Sequence, residues 1–199
     1  MNKTLILGIV AVLVLVALVS SCASYNGLVG KSQAVDNQWA QVQTVYQRRA
    51  DLIPNLVQTV AGSANFEKST LEAVTNARAS VGKVSLPATA PDDPAKLLEF
   101  QQAQAQLSSS LSRLLVVAEN YPTLKSSENF KELQAQLEGS ENRISVEREK
   151  FNDAVRVYDV SVHSFPSMIF ASLFGFHDKP YFAAQPGAQS APSVKFDFK

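Results

Sequence analysis

The chain has 199 residues, 46% of them hydrophobic and 18% charged, with 18 Lys plus Arg set against 18 Asp plus Glu. Zero net charge argues against a nucleic-acid binder, which needs a basic surface to displace counterions. A single cysteine, Cys22, excludes an intrachain disulfide, and two histidines, His163 and His177, leave a His/Cys metal site short of ligands.

Met1-Asn2-Lys3 is a short basic start, and from Thr4 to Val19 the chain is apolar and uncharged. These sixteen residues reach about 24 Å as a helix, long for a signal segment and short of a roughly 30 Å hydrocarbon core. Val19-Ser20-Ser21-Cys22 then resembles a bacterial lipobox: an aliphatic residue, two small residues and a cysteine to be lipidated. The expectation is lipid on Cys22; the alternative is an uncleaved membrane anchor with an incidental cysteine. Either way Lys3 stays cytoplasmic, the bulk of the chain is exported, and the domain is tethered to a membrane.

Helical periodicity follows. Val35, Trp39, Val42, Tyr46, Arg49, Ile53, Leu56 and Val60 alternate at spacings of four and three, a heptad stripe predicting one long helix packed at a shallow angle. Pro54 lies inside it, so a bend or short break is expected around Arg49–Pro54. Gly62-Ser63-Ala64-Asn65 is the next weak point, and a second helix is expected from about Phe66 to Val81. Lys83 to Asp92 holds Pro87 and Pro91 without periodicity and reads as a loop. Asp93-Pro94 reads as an N-cap followed by proline at the first helical position.

The third helix carries Leu97, Phe100, Gln104, Leu107, Leu111, Leu114 and Ala118 until Tyr121-Pro122 stops it. A fourth, from about Ser127 to Ser164, has the stripe Phe130, Leu133, Leu137, Ser140, Ile144, Glu147, Phe151, Val155, Tyr158 and Val162. Phe165-Pro166 ends it. Ser167 to Phe176 is apolar enough for a short helix closing at Gly175, and residues 183–194 have the composition of a flexible tail. The fold expected is all-α: an antiparallel bundle of four long segments, or three with a kinked first helix, behind an N-terminal anchor. The division is 1–22 anchor, 23–164 bundle, and 165–199 short helix and tail.

The blocks Asn37-Gln38-Trp39-Ala40-Gln41-Val42 and Tyr46-Gln47-Arg48-Arg49-Ala50-Asp51-Leu52-Ile53-Pro54-Asn55-Leu56-Val57 resemble the LemA family. So do Tyr25-Asn26-Gly27-Leu28-Val29, Asn76-Ala77-Arg78-Ala79, Leu133 to Gly139, Glu141-Asn142-Arg143-Ile144, Val146-Glu147-Arg148, Phe151-Asn152 and Phe170-Ala171-Ser172. The resemblance covers nearly the whole chain. It implies a bacterial membrane-anchored helical bundle and implies no reaction. The Cys22 pattern departs from many relatives, which keep a plain membrane helix.

No catalytic residue, metal ligand or cofactor site is predicted. His163 with Asp159 one turn earlier reads as an exposed pair, and no Glu has a His three residues on, as a di-metal carboxylate bundle requires. Arg49 and Glu147 occupy core-stripe positions on the first and fourth helices at levels within two turns, so a buried pair fixing helix register is expected. Gly139 in mid-helix points to close approach of another helix or to a bend. Ile169, Phe170, Leu173 and Phe174 are candidates for docking on a membrane or partner. The function expected is a non-enzymatic, tethered interaction or scaffold module of the cell envelope with other envelope proteins as partners; the alternative is an envelope enzyme with a carboxylate site.

Overall fold

The computed structural model describes residues 3–63, 66–84 and 87–183. The described residues form six helices: α1 (Lys3–Ala61), α2 (Lys68–Lys83), α3 (Pro94–Ala118), α4 (Pro122–Ser126), α5 (Glu128–His163) and α6 (Ser167–Phe174). The all-α bundle is as the periodicity predicts, with four long segments and two short helices. Most of the predicted tail, from residue 184, lies outside the described residues.

The stripes are the core. All eight stripe residues of α1 from Val35 to Val60 are buried, as are all seven of α3. On α5 the stripe is buried except at Leu133 and Glu147, which are half-buried. Side-chain bonds give the directions. Lys31 bonds Ser161, Gln38 bonds Glu147 and Arg49 bonds Glu141, so α5 descends as α1 ascends. Trp39 packs on Phe100 and Arg49 bonds Gln104 and Ser108, so α3 ascends with α1. The short α2 descends between them, and Phe66 meets Tyr121 at the far end with ring centroids 4.9 Å apart.

Local chemistry sets the boundaries. The Asp93 carboxylate accepts from the Ala95 N–H at 2.8 Å, with Pro94 at the first helical position. Ser127 caps α5 by accepting from the Phe130 N–H. Gly175 closes α6 in the left-handed region at φ 75°, which a residue with a Cβ rarely adopts.

No break occurs at Pro54: α1 is helical from Lys3 through Ala61. Proline lacks the N–H that would bond the Ala50 carbonyl, and the Arg78 Nε–H of α2 donates to that carbonyl instead, at 3.2 Å. A tertiary donor thus replaces the missing helical one. Arg78→Ala is expected to cost about 1 kcal/mol. In a Pro54→Ala background, where the restored N–H at position 54 takes the carbonyl, the same change should cost almost nothing. A double-mutant cycle by chemical unfolding measures the difference, and equal costs in both backgrounds would refute the substitution of one donor for the other.

Close approach does not explain Gly139. A Cβ built there meets nothing within 4 Å. Gly139→Ala should therefore stabilise α5 by about 0.5–1 kcal/mol, read as a raised melting temperature.

The chain after α6 does not leave the bundle at once. Residues 176–183 run extended along α5 as a strap. The Asn152 amide takes both main-chain groups of Phe182, accepting its N–H at 2.8 Å and donating to its carbonyl at 3.0 Å. Tyr158 donates to the His177 carbonyl, Asp159 accepts the Lys179 N–H, and Arg148 donates to the Ala183 carbonyl. The Phe182 ring packs against both Trp39 and Phe151, with centroids 6.2 and 5.3 Å away, and the buried Lys179 amine pairs with Asp92 at 2.9 Å.

Candidate functional site

Two features stand out from an otherwise ordinary packed bundle. The first is a polar layer across its middle. Arg49, Gln104 and Ser140 are the buried polar stripe positions of α1, α3 and α5. Each interrupts an apolar stripe, so they divide the core in two. Trp39, Tyr46, Phe100 and Phe151 lie in the cluster on the anchor side; Ile53, Leu107 and Leu137 lie in the cluster beyond. The guanidinium of Arg49 bonds Ser108 at 2.9 Å and also bonds Gln104 and Glu141. It lies 5.2 Å from the centre of the Tyr46 ring. Its Nε–H has no partner among the described residues.

The expected Arg49–Glu147 pair is not formed. Glu141, half-exposed beside the buried Ser140, supplies the carboxylate instead. Glu147 lies six residues further along α5, about 9 Å away, where it accepts from Gln38 at 2.6 Å and pairs with Lys150. The bond from Lys150, with help from Gln38, lowers its carboxyl pKa despite some desolvation.

Burial pushes the Tyr46 phenol above its ordinary value, partly offset by Arg148 and then Arg49. Tyr158 is pushed up to about 12 by burial, with Asp159 adding to it. Both phenols are neutral at physiological pH, and the Tyr158 hydroxyl donates to the His177 carbonyl rather than acting as a base. The His163 ring meets the Asp159 main-chain carbonyl at 2.9 Å and the Asp178 carboxylate at 3.6 Å, on the surface. The expected side-chain pair with Asp159 is thus replaced by a backbone contact. Among the described residues no group of three or more His, Cys, Asp or Glu is placed to hold a metal.

The second feature is the anchor end. An 18-residue window of α1 has a mean hydropathy of 2.5 and none of it is buried, so this stretch is long and apolar enough to cross a membrane. Cys22 is exposed and lies within the same continuous helix. Just past it, Tyr25 meets Phe174 and Phe176 edge-on, with centroids 5.0 and 5.9 Å away. This packs α6 against the root of the anchor segment. Only Ala171 of α6 is buried; Phe170 is half-buried, while Met168, Ile169, Leu173 and Phe174 stay exposed, as does Phe165 before the helix. The docking candidates therefore separate: Ile169, Leu173 and Phe174 face outward, and Phe170 is partly covered. The strap was not legible because residues 176–183 have no period, although Phe176, Tyr181 and Phe182 mark it as apolar.

The model of the LemA family matches residues 38–196. Magnetosome protein MamQ 2 of Paramagnetospirillum magneticum is 25% identical, covering 92% of this chain and 73% of its own length. Magnetosome protein MamQ of Magnetospirillum gryphiswaldense is 25% identical over 91% of this chain and 73% of its own. Protein LemA of Metamycoplasma hominis is 25% identical over 73% of this chain and 59% of its own. With the family match running from the Trp39 stripe past the strap, the chain belongs to the LemA family.

Proposed function

We propose that this protein is a non-enzymatic scaffold of the bacterial cell envelope, held at a membrane by its N-terminus and binding other envelope proteins through the outer faces of its helices. The observation that carries the reading is the continuity of α1, which runs unbroken through Cys22 into the central stripe of the bundle. Starting either in the bilayer as an uncleaved helix or at a lipid on Cys22, it holds the bundle at a set distance from the bilayer. The polar side chains around Arg49 and Asn152 support the same reading: the guanidinium bonds Gln104 and Glu141, and the Asn152 amide bonds the main chain of Phe182. The bulk of the chain lies outside the cytoplasm, on the argument from Lys3.

Photocrosslinkers placed at the exposed Leu98 and Val116 of α3 and Val146 of α5 test this in cells. Discrete protein adducts are expected from at least one face. Their absence from every face would leave a structural protein without a dedicated partner. The anchor has its own test. Mass spectrometry of the mature N-terminus is expected to find an acylated Cys22, and an intact Met1 would replace lipidation with an uncleaved membrane helix.

A further inference from the structure

We propose that α6 is a membrane-docking helix, and that its outer face lies in the headgroup layer of the bilayer holding the N-terminus. The inference rests on that tethering and adds the surface that touches the lipid.

Three observations place it there. The first is level. A roughly 30 Å hydrocarbon core takes about 20 helical residues, which counted from Thr4 end at Ala23. Tyr25 follows two residues later, about 3 Å further along the helix, and Phe174 and Phe176 pack on its ring. With a lipid on Cys22 instead, Tyr25 is three residues, about 5 Å, from the acylated position. Both kinds of anchor bring α6 to the headgroup layer, which is roughly 5–8 Å deep on each side.

The second is charge. No residue from Thr4 to Gly30 is charged, and from Val160 to Phe176 only His163 can become so. The two runs come together because α5 returns antiparallel, with Lys31 bonded to Ser161 at their common edge. A collar without carboxylates or amines thus surrounds the root of the anchor, while charge resumes at Lys31, Asp159 and Asp178.

The third is the way α6 uses its side chains. A helix that only closed the end of the bundle would bury its large residues. Here the small Ala171 faces inward, and Leu173 is 73% exposed, with Met168, Ile169 and Phe174 each about half exposed or more. Phe165, just before the helix, is 80% exposed. Large apolar side chains turned outward, with the small residue inward, leave a surface that burial at the headgroup–acyl boundary would remove from water.

The test uses the full chain in lipid nanodiscs, with Leu173→Trp as a reporter at a position exposed enough to accept it. Trp39, the one native tryptophan, is fully buried and some 21 Å beyond Tyr25 along α1, so it gives a constant background. Lipids brominated near the glycerol end of the acyl chains should quench most of the added emission from Leu173→Trp. They should leave a Val116→Trp control at the far end of α3 unquenched. Unquenched emission from Leu173→Trp in protein that stays with the disc overturns the proposal while leaving the tether intact. Failure of the protein to stay with the disc overturns the tether itself, and this inference with it. Emission unquenched in pure lipid but shifted to the blue in native membranes gives the face to a protein partner and likewise overturns docking on lipid.

Discussion

Trp39→Ala is expected to destabilise the protein by about 3–5 kcal/mol, at the upper end for a core truncation. Four segments converge on this ring. It packs edge-on against Phe100 of α3, tilted against Phe151 of α5 and stacked on Phe182 of the strap, with centroids 5.7–6.2 Å away. Its indole N–H donates to the Pro87 carbonyl in the loop before α3 at 3.2 Å. Truncation leaves a cavity that none of these neighbours can fill alone, since each is fixed by its own helix or hydrogen bonds. Trp39→Phe should cost less than half as much, because a ring remains and Gln43 still donates to Pro87. Gln38→Ala, one position off the stripe, removes the bond to Glu147 and should cost about 1 kcal/mol or less. Chemical unfolding followed by far-ultraviolet circular dichroism compares the three without relying on tryptophan emission. Similar costs for Trp39→Ala and Gln38→Ala would overturn the assignment of the stripe. Hydrogen exchange adds a second readout: in Trp39→Ala the Phe182 N–H should lose protection with the strap, ahead of global unfolding.

Why the long helices were readable and other features were not comes down to how far a signal travels along the chain. The stripe from Val35 to Val60 is written every third or fourth residue, and burial along one face of a helix requires only that local repeat. Caps are likewise local, as with Asp93 before Pro94 and Gly175 after Phe174. The short break allowed for at Pro54 does not occur, for the opposite reason. Its local penalty is real, but the donor that offsets it, Arg78, lies 28 residues beyond Ala50. The partner of Arg49 depended on register. Threading the helices up and down fixes levels only to within two turns, and Glu141 and Glu147 differ by less than that. The strap left no period because an extended segment held by Asn152, Tyr158 and Asp159 through its main chain is anchored by scattered side chains, Phe176, Lys179 and Phe182, rather than by a repeat. At the anchor end, the apolar character of α6 was plain, but which of its residues face outward depended on Ala171 being the one turned in.

The polar layer gives the other large effect, and it distinguishes a register device from a functional group. Arg49→Ala should cost about 3–5 kcal/mol, because it leaves Gln104 buried without its donor and opens a cavity at the middle of α1. Glu141→Gln should cost far less, since the carboxylate is half-exposed and its amide replacement can still accept from Arg49 and Ser108. The informative variant is Arg49→Met combined with Gln104→Leu. It replaces the layer with apolar groups of similar volume, and buried ionic groups exchanged in this way often lose no stability. The double variant should therefore recover most of what Arg49→Ala loses. What it gives up is the feature that tells α1, α3 and α5 where to align, since two uninterrupted apolar stripes can slide by a heptad with little penalty. Nuclear magnetic resonance of the double variant should show extra or broadened resonances from Leu107 and Ile144, the apolar stripe positions following Gln104 and Ser140. A double variant that is stable and gives a single sharp set of resonances would show that the arginine does not set the register.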